Sequence, residues 1–183
     1  MSMIYSLVQL RADKIAMLME RPELIRPLLG LSSKSPKRAQ SPADDVIAND
    51  FDNDSLPKTD LEKAWHGLHF LLTGSDWEGD LPYAYLLLGG AQIGKIDVGY
   101  GPARALRPQE VREFDVCLAS VTTDFLTSHF DPNKMTELGI YPFAIASPAP
   151  DDDLRYLLLY FEDLKSFVSD AAAHGHGVVT YLS

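Results

Sequence analysis

Short apolar segments typical of β-strands stand at both ends of the chain and near its middle, and helical patterns fill the intervals. Residues 3–10 and 177–182 are the terminal segments, and the glycine-rich residues 93–106 lie between them. This order differs from the regular strand–helix alternation of a parallel α/β fold. It predicts an α+β fold, in which several helices pack on a small mixed or antiparallel sheet formed from the two chain ends and the central glycine-rich strand.

A length of 183 residues is typical of one domain, and 46% hydrophobic with 23% charged residues is an ordinary globular composition. We therefore predict a single domain over residues 1–183. Residues 32–57 differ, because they are rich in serine, proline, aspartate and asparagine and contain few large apolar side chains. We interpret them as a mobile acidic surface excursion. Its carboxylates include Asp44, Asp45, Asp50, Asp52 and Asp54.

Residues 59–72 show the clearest helical pattern. Thr59 is predicted to cap the helix, Glu62 three residues later to complete a capping box, and Gly74 to end the helix. The apolar residues fall on one predicted stripe that faces the core. They are Leu61, Trp65, Leu68 and Leu72.

Further helices are predicted from apolar spacing and from the proline, glycine and charged residues at their ends. They cover residues 12–19, 21–29, 82–88, 108–121, 125–130, 131–139 and 151–174. Because Pro27 lies inside the second of them, we expect a kink or two short turns before Gly30. Three aspartates at 151–153 favour the start of the last helix, because negative charge there complements the helix dipole. A buried strand is an alternative for residues 84–88, since a short apolar run is compatible with either a helix or a buried strand.

Charge constrains the kind of partner. Sixteen basic and 26 acidic residues give a formal net charge of −10. An acidic surface repels phosphate backbones and anionic membranes, so we predict no nucleic-acid and no membrane partner. A basic protein is the partner that this charge favours, and simple solubility is the alternative.

Cys117 is the single cysteine, so no internal disulfide forms, and its place near an apolar helix face predicts a core residue. The N-terminus shows no targeting signal. The longest purely apolar run, residues 83–88, is far shorter than the about 20 residues that span a bilayer. We therefore predict a cytoplasmic protein.

Four motifs occur in an order that resembles the YfbM-like family of uncharacterised bacterial proteins. They are LEKAWHGLHFLLTG at residues 61–74, YGPAR at 100–104, LGIYP at 138–142 and the ending GVVTYL. The resemblance covers nearly the whole chain outside residues 32–57. It implies a single α+β domain, and it brings no reaction, cofactor or catalytic residue with it.

No cofactor or metal is predicted from the chemistry-bearing motifs. Gly89, Gly94 and Lys95 match the front of a P-loop, but Ile96 supplies no hydroxyl for magnesium and no helix follows. A second candidate is the helical set Glu62, His66 and His69, although three ligands on one straight helix rarely converge on one ion. His69 is predicted to be half-buried and His66 to be solvated.

His174 and His176 flank the predicted end of the last helix. We interpret them as residues whose positive charge stabilises the helix end by interacting with its last carbonyls.

A shallow ligand-binding cleft is a further hypothesis. Its lining would combine aromatic area with polar tips, namely Trp65, His69, Thr73, Tyr100 and Arg104. In this hypothesis Arg104 binds an anion, and the glycines beside Tyr100 let a backbone approach closely. The alternative is structural, with Trp65 as a core anchor and Arg104 paired with a carboxylate.

No catalytic residue is assigned, because no nucleophile with a nearby base is evident in the motifs. The sequence therefore favours a non-enzymatic binding or accessory protein that engages a basic protein partner, in an immunity- or inhibitor-like role. A small-molecule-binding or hydrolase-like protein, with a cleft around Trp65, His69, Tyr100 and Arg104, is the alternative. A homodimer is a third.

Overall fold

Five antiparallel strands form one sheet in the computed structural model, which describes residues 2–31, 51, 55–143 and 148–183. The strands are β1 (Tyr5–Leu10), β2 (Lys58–Asp60), β3 (Ala91–Asp97), β4 (Pro102–Leu106) and β5 (Gly177–Leu182). Their order is β2-β1-β5-β4-β3. The α+β prediction is thereby confirmed, with an antiparallel sheet that contains both chain ends.

Eight α-helices in the described residues cover this sheet, and a 3₁₀ turn (Pro22–Leu24) precedes the second of them. They are α1 (Ala12–Glu20), α2 (Ile25–Leu28), α3 (Ala64–Thr73), α4 (Tyr85–Leu88), α5 (Pro108–Ser120), α6 (Thr123–His129), α7 (Pro132–Glu137) and α8 (Pro150–Ala173). The two short turns before Gly30, with Pro27 inside the second, and the aspartates in the first turn of α8 are as predicted. None of the helices described has the length and apolar character to cross a membrane.

The terminal strands pair with each other, and alternation along them separates two cores. In this register Leu7 faces Thr180 and Val8 faces Val179. Leu7 belongs to the larger core with α3, α5 and α8, whereas Val8 belongs to a smaller core with α1 and α2. Both faces of the sheet are therefore covered by helices.

The capping box predicted at Thr59 and Glu62 is wrong. Thr59 lies in β2, opposite Leu7, and α3 begins only at Ala64. Glu62 has a φ of 47°, in the left-handed region, so it cannot continue a helix. Pairing with β1 therefore overrides the local helix signal, while the predicted stop at Gly74 is confirmed by its left-handed φ of 74°.

The single apolar stripe predicted for this helix is also incomplete, because residues 64–72 are all buried. α8 approaches α3 closely at Gly67. A Cβ atom at Gly67 would lie 2.7 Å from Leu157 Cδ2 and 2.9 Å from Phe143 Cε2. The helix is thus enclosed on the side that the pattern marked as polar.

The glycine-rich segment forms a hairpin of β3 and β4, not the one irregular strand predicted for it. Asp97 makes the turn, since its Oδ1 accepts from the amides of Gly99 (2.9 Å) and Gly101 (3.0 Å). In the segment before it, α4 settles residues 85–88 as helix, so the strand alternative is wrong. Pro82 lies outside that helix and follows a cis peptide bond.

The predicted acidic excursion, residues 32–57 with Asp44, Asp45, Asp50, Asp52 and Asp54, lies outside the described residues except for Phe51 and residues 55–57. Phe51 is fully buried in the smaller core, and Lys14 Nζ lies 5.1 Å from its ring centroid. Phe51 is therefore a core residue and does not belong to an exposed surface.

Gly90 is expected to tolerate no side chain. Its φ is 67°, and a Cβ would lie 2.5 Å from the carbonyl carbon of Ala105 and 2.8 Å from the amide nitrogen of Leu106. Gly30 has a similar φ of 64°, but a Cβ there would meet no atom within 4 Å. A substitution at Gly30 therefore measures the cost of the left-handed backbone without a steric clash. We expect Gly30→Ala to lower the free energy of unfolding by about 1 kcal/mol. Gly90→Ala should cost about 1–3 kcal/mol more in urea unfolding, and equal costs would contradict the close contact.

Candidate functional site

Trp65 is the centre of an aromatic cluster at the start of α3. Its buried ring lies 4.8 Å from the His66 ring, 5.8 Å from Trp77, 6.1 Å from Tyr141 and 6.3 Å from Tyr5, between centroids. Its Nε1 donates to the Met3 carbonyl at 3.3 Å. Trp65 therefore joins β1, α3, the loop that carries Trp77 and the loop that carries Tyr141 in one aromatic cluster.

His66 links those two loops through both ring nitrogens. Nδ1 lies 3.0 Å from the Tyr141 amide, which can only donate, so Nδ1 accepts. Nε2 therefore carries the proton and donates to the Asp76 carbonyl at 2.9 Å. Burial lowers the pKa of His66, against the opposing effect of Asp76. The prediction that His66 is solvated is wrong, because only 2% of its surface is exposed.

His69 holds the same loop one turn later in α3. Its Nε2 lies 3.0 Å from the Glu78 carbonyl and donates to it, and its Nδ1 is buried without a partner among the described residues. Burial lowers the pKa of His69 to about 4. His69 is thus fully buried, deeper than the predicted half-burial.

These two histidines place Trp77 at the surface. Trp77 lies between the two carbonyls that accept from His66 and His69, and its ring centroid is 4.6 Å from that of His66. With 55% of its surface exposed, Trp77 is the outer wall of the aromatic cluster.

Two pockets adjoin this cluster, each bounded by Pro142. The aromatic pocket, of about 330 Å³, is lined by Met3, Trp65, His66, Trp77, Gly139, Tyr141 and Pro142. The acidic pocket, of about 380 Å³, is lined by Glu62, Lys63, Pro142, Phe143, Asp153, Tyr156 and Tyr160. Because Pro142 lines both pockets, we treat them together as the Pro142 groove.

Negative charge is concentrated at the acidic pocket. Burial, followed by the carboxylates of Glu62, Asp60 and Asp163, raises the pKa of Tyr160. Burial raises the pKa of Tyr156 too, and Glu62 adds to that effect. A group that binds here therefore meets a site at which a cation is favoured over an anion.

Tyr141 responds in the opposite direction. Burial raises its pKa, but hydrogen bonds from the Ser2 side chain and the Met3 amide, with the charge of Lys63, outweigh burial and leave the pKa lowered. The Met3 amide donates to the Tyr141 hydroxyl at 3.3 Å. The Tyr141 ring is thus anchored at its hydroxyl and through its own amide.

Glu62 reaches the groove from a strained position. Its amide donates to Asp60 Oδ1 at 3.1 Å, and its carbonyl accepts from the Tyr5 amide at 3.3 Å. These bonds fix the left-handed backbone that a glutamate rarely adopts. Strained residues of this kind are concentrated at binding and active sites, where the surrounding structure sustains the cost.

Of the five residues predicted to form a cleft, Trp65 lines the aromatic pocket and the other four do not. Thr73 donates to the His69 carbonyl at 2.8 Å within α3. Tyr100 is half-exposed in the β3–β4 turn, where its amide donates to the Leu182 carbonyl at 3.0 Å.

Arg104 donates hydrogen bonds to main-chain carbonyls. Its Nε donates to the Gly89 carbonyl at 2.7 Å, and its Nη2 to Gly90 at 2.7 Å and Leu88 at 3.0 Å. The guanidinium therefore fixes the turn between α4 and β3. As predicted, Cys117 is buried, and burial raises the pKa of its thiol.

The predicted residues missed most of the groove. Trp77, Tyr141 and Tyr156 belong to it, and of these only Tyr141 stood in a motif, LGIYP. Among the residues that the structure describes, no three His, Cys, Asp or Glu side chains are grouped to hold a metal ion. Glu62 lies outside α3, so the set Glu62, His66 and His69 does not share a helix face.

Comparison with known proteins places the chain in a family. The model of a family described as a domain of unknown function, DUF1877, matches residues 1–181, and the chain belongs to that family. A solved structure, YfbM from Escherichia coli, itself a protein of unknown function, is similar with a TM-score of 0.69 and 21% identity, over 98% of this chain and 99% of that one. No curated protein matches the chain significantly. The predicted YfbM-like resemblance is confirmed, and the structural match shows the fold alone.

His69 should make stability depend on pH. Its pKa is about 4 in the folded chain and has its ordinary value of 6.5 in the unfolded chain, so the unfolded state binds more protons between these values. The stability from neutral His69 is fully present above about pH 6.5 and is lost as the pH falls toward 4. We expect His69 to contribute about 2 kcal/mol to the loss of stability between about pH 7 and pH 5 in urea unfolding.

A matched pair of variants isolates this effect. His69→Gln keeps an N–H donor for the Glu78 carbonyl without a titratable ring, so the loss should shrink by that amount. His129→Gln, at an exposed histidine of α6, is the matched control for the substitution itself. An unchanged loss in His69→Gln would show that His69 is not the titrating group.

Proposed function

We propose that this chain is a non-enzymatic binding protein that docks a basic protein partner in the Pro142 groove, in an immunity- or inhibitor-like role. The observation that carries this proposal is the pairing of an acidic, tyrosine-lined pocket with an aromatic pocket across a single proline. Interfaces commonly combine aromatic anchors with a charged rim in this way.

Charge supports a basic partner at two ranges. The formal net charge of −10 attracts a cationic protein from a distance and speeds encounter. At short range, Glu62 and Asp153 line the acidic pocket, and Lys63 is the one cation among its described lining residues. A lysine or arginine of the partner therefore finds carboxylates in excess there.

Aromatic rings supply the second contact. Trp77 is exposed over 55% of its surface, and Tyr141 stands across the same pocket. Arginine and lysine side chains stack favourably on tryptophan and tyrosine rings, with about 0.5–2 kcal/mol gained for each contact. Large exposed aromatic side chains are also the residues that most often dominate binding energy.

The histidines of this region support binding over catalysis. His66 uses both ring nitrogens in hydrogen bonds to main chain, and His69 is buried with its Nε2 on a carbonyl. A general base needs a lone pair within reach of its substrate. These two imidazoles hold the loop that carries Trp77 and therefore serve the shape of the groove.

Small-molecule binding is the alternative, and the aromatic pocket of about 330 Å³ favours it. In this case the ligand would occupy the space between Trp77 and Tyr141, not the predicted cleft around His69, Tyr100 and Arg104. The two functions differ in the acidic pocket, which a protein partner needs and a ligand of the aromatic pocket does not.

The partner test begins with capture from native lysate and identification of the retained protein, followed by binding of the purified partner at low and high salt. We expect a basic protein whose affinity falls with salt and falls at least about tenfold for Glu62→Gln/Asp153→Asn, which removes the carboxylates of the acidic pocket. Trp77 fluorescence should shift to the blue on binding, because the ring loses water.

The control is Glu20→Gln/Asp124→Asn, which changes the net charge equally at two exposed residues outside the groove. It should bind almost as the wild type does. If the two double variants weaken binding equally, the effect comes from overall charge. If neither weakens binding, the groove is not part of the interface. A metabolite that shifts Trp77 fluorescence equally in the wild type and in Glu62→Gln/Asp153→Asn would support small-molecule binding.

A further inference from the structure

The turn between α8 and β5 brings two imidazoles together. His174 follows the last helical residue and His176 precedes β5, with Gly175 between them at a φ of 66°. The left-handed glycine turns the chain so that both side chains stand on one side of the molecule. Their ring centroids lie 5.6 Å apart, with 27° between the ring planes.

The tautomer of His174 follows from its partner. Its Nδ1 lies 2.8 Å from the carbonyl oxygen of Asp170, which can only accept. Nδ1 therefore carries the hydrogen of the neutral ring, and the lone pair is on Nε2. The Asp170 carboxylate lies beside the same nitrogen, with Oδ1 at 3.4 Å.

The tautomer of His176 follows from Gln9, a buried side chain of β1 with 2% exposure. Gln9 Nε2 donates to the Phe167 carbonyl at 3.2 Å and to Asp170 Oδ2 at 3.0 Å. This fixes the amide orientation, so Gln9 Oε1 faces His176 Nδ1 at 3.1 Å and accepts from it. The lone pair of His176 is therefore also on Nε2.

Both rings are held in the manner of metal-binding histidines. In metal sites the non-ligating ring nitrogen donates to a carbonyl, a carboxylate or another acceptor, which fixes the tautomer and aims the ligating lone pair. Here a main-chain carbonyl and a buried amide do so, and within the described part of the chain neither Nε2 has a hydrogen-bond partner. We propose that His174 and His176 bind a divalent transition-metal ion of borderline softness, such as Cu²⁺ or Zn²⁺, through their two Nε2 atoms.

Distance and charge agree with this assignment. Imidazole nitrogen binds zinc at about 2.0–2.1 Å, so two ring centroids on one ion lie at most about 6.5 Å apart, which exceeds the observed 5.6 Å. Imidazole suits copper, zinc and nickel, whereas magnesium and calcium prefer oxygen ligands. The net charge of −10 raises the local concentration of any cation.

Two protein ligands leave the remaining coordination positions to water or to an external group. The site is therefore an open one, in which the ion stays accessible. Because a proton competes for each Nε2 lone pair, metal binding should weaken as the pH falls. The site stands at the C-terminal end of α8 and is independent of the Pro142 groove.

The test is calorimetric titration of the tag-free full chain with Zn²⁺. Of the five histidines, His66 and His69 are buried, so exposed His129 is the matched control. Substitution of histidine by asparagine keeps a donor in place of Nδ1–H and removes Nε2. We expect one ion for each chain and an affinity at least about tenfold lower in His174→Asn and in His176→Asn, since loss of an outer partner alone costs about 10–100-fold.

His129→Asn should bind Zn²⁺ as the wild type does. A second measurement needs no variant: long-range ¹H–¹⁵N spectra of the wild type should show Nδ1–H tautomers for His174 and His176, and Zn²⁺ should shift both Nε2 resonances. Absence of Zn²⁺ binding, binding that survives either substitution, or Nε2 resonances that do not move would each overturn the proposal.

Discussion

The pairing of β1 with β5 is the contact on which the rest of the structure depends. Six residue pairs, from Tyr5 with Leu182 to Leu10 with Gly177, join the two ends of the chain at the centre of the sheet. Each strand then has a second partner, β2 on one side and β4 on the other. Because these pairs join residues more than 160 positions apart, the sheet forms only when nearly the whole chain is in place.

From this centre, the groove is built outward by aromatic packing. Tyr5 projects from β1 against Trp65, and Trp65 in turn supports His66, Trp77 and Tyr141. The polar atoms inside this stack hydrogen-bond mainly to main-chain groups, so each ring also fixes a loop. The groove therefore owes its shape to the same contacts that stabilise α3.

Local sequence signals predicted the helix ends that local interactions determine. Pro108, Gly74 and the aspartates of α8 mark helix ends through backbone geometry and charge, and the structure has helix ends at those residues. Thr59 failed because the decisive partner, Leu7, lies 52 residues earlier, and no local pattern contains that pairing.

The candidate site was predictable in the same limited way. Trp65 stood out as a large side chain on a marked helix, and it does line a pocket. For Arg104 the sequence left two hypotheses, an anion or a carboxylate partner, because its charge is visible in the sequence, whereas the three carbonyls to which it donates are not. Trp77 gave no signal, since its role follows from histidine contacts that only the folded loop makes.

β1 contributes to both the Pro142 groove and the histidine pair, at opposite ends of the strand. Tyr5 and Gln9 both point from β1 toward the larger core, and at about 3.3 Å for each residue they stand about 13 Å apart. Tyr5 supports Trp65 at one end, while Gln9 fixes His176 at the other. α8 joins the two regions a second time, because it carries Asp153 and Tyr156 of the acidic pocket near its start and holds His174 through the Asp170 carbonyl at its end.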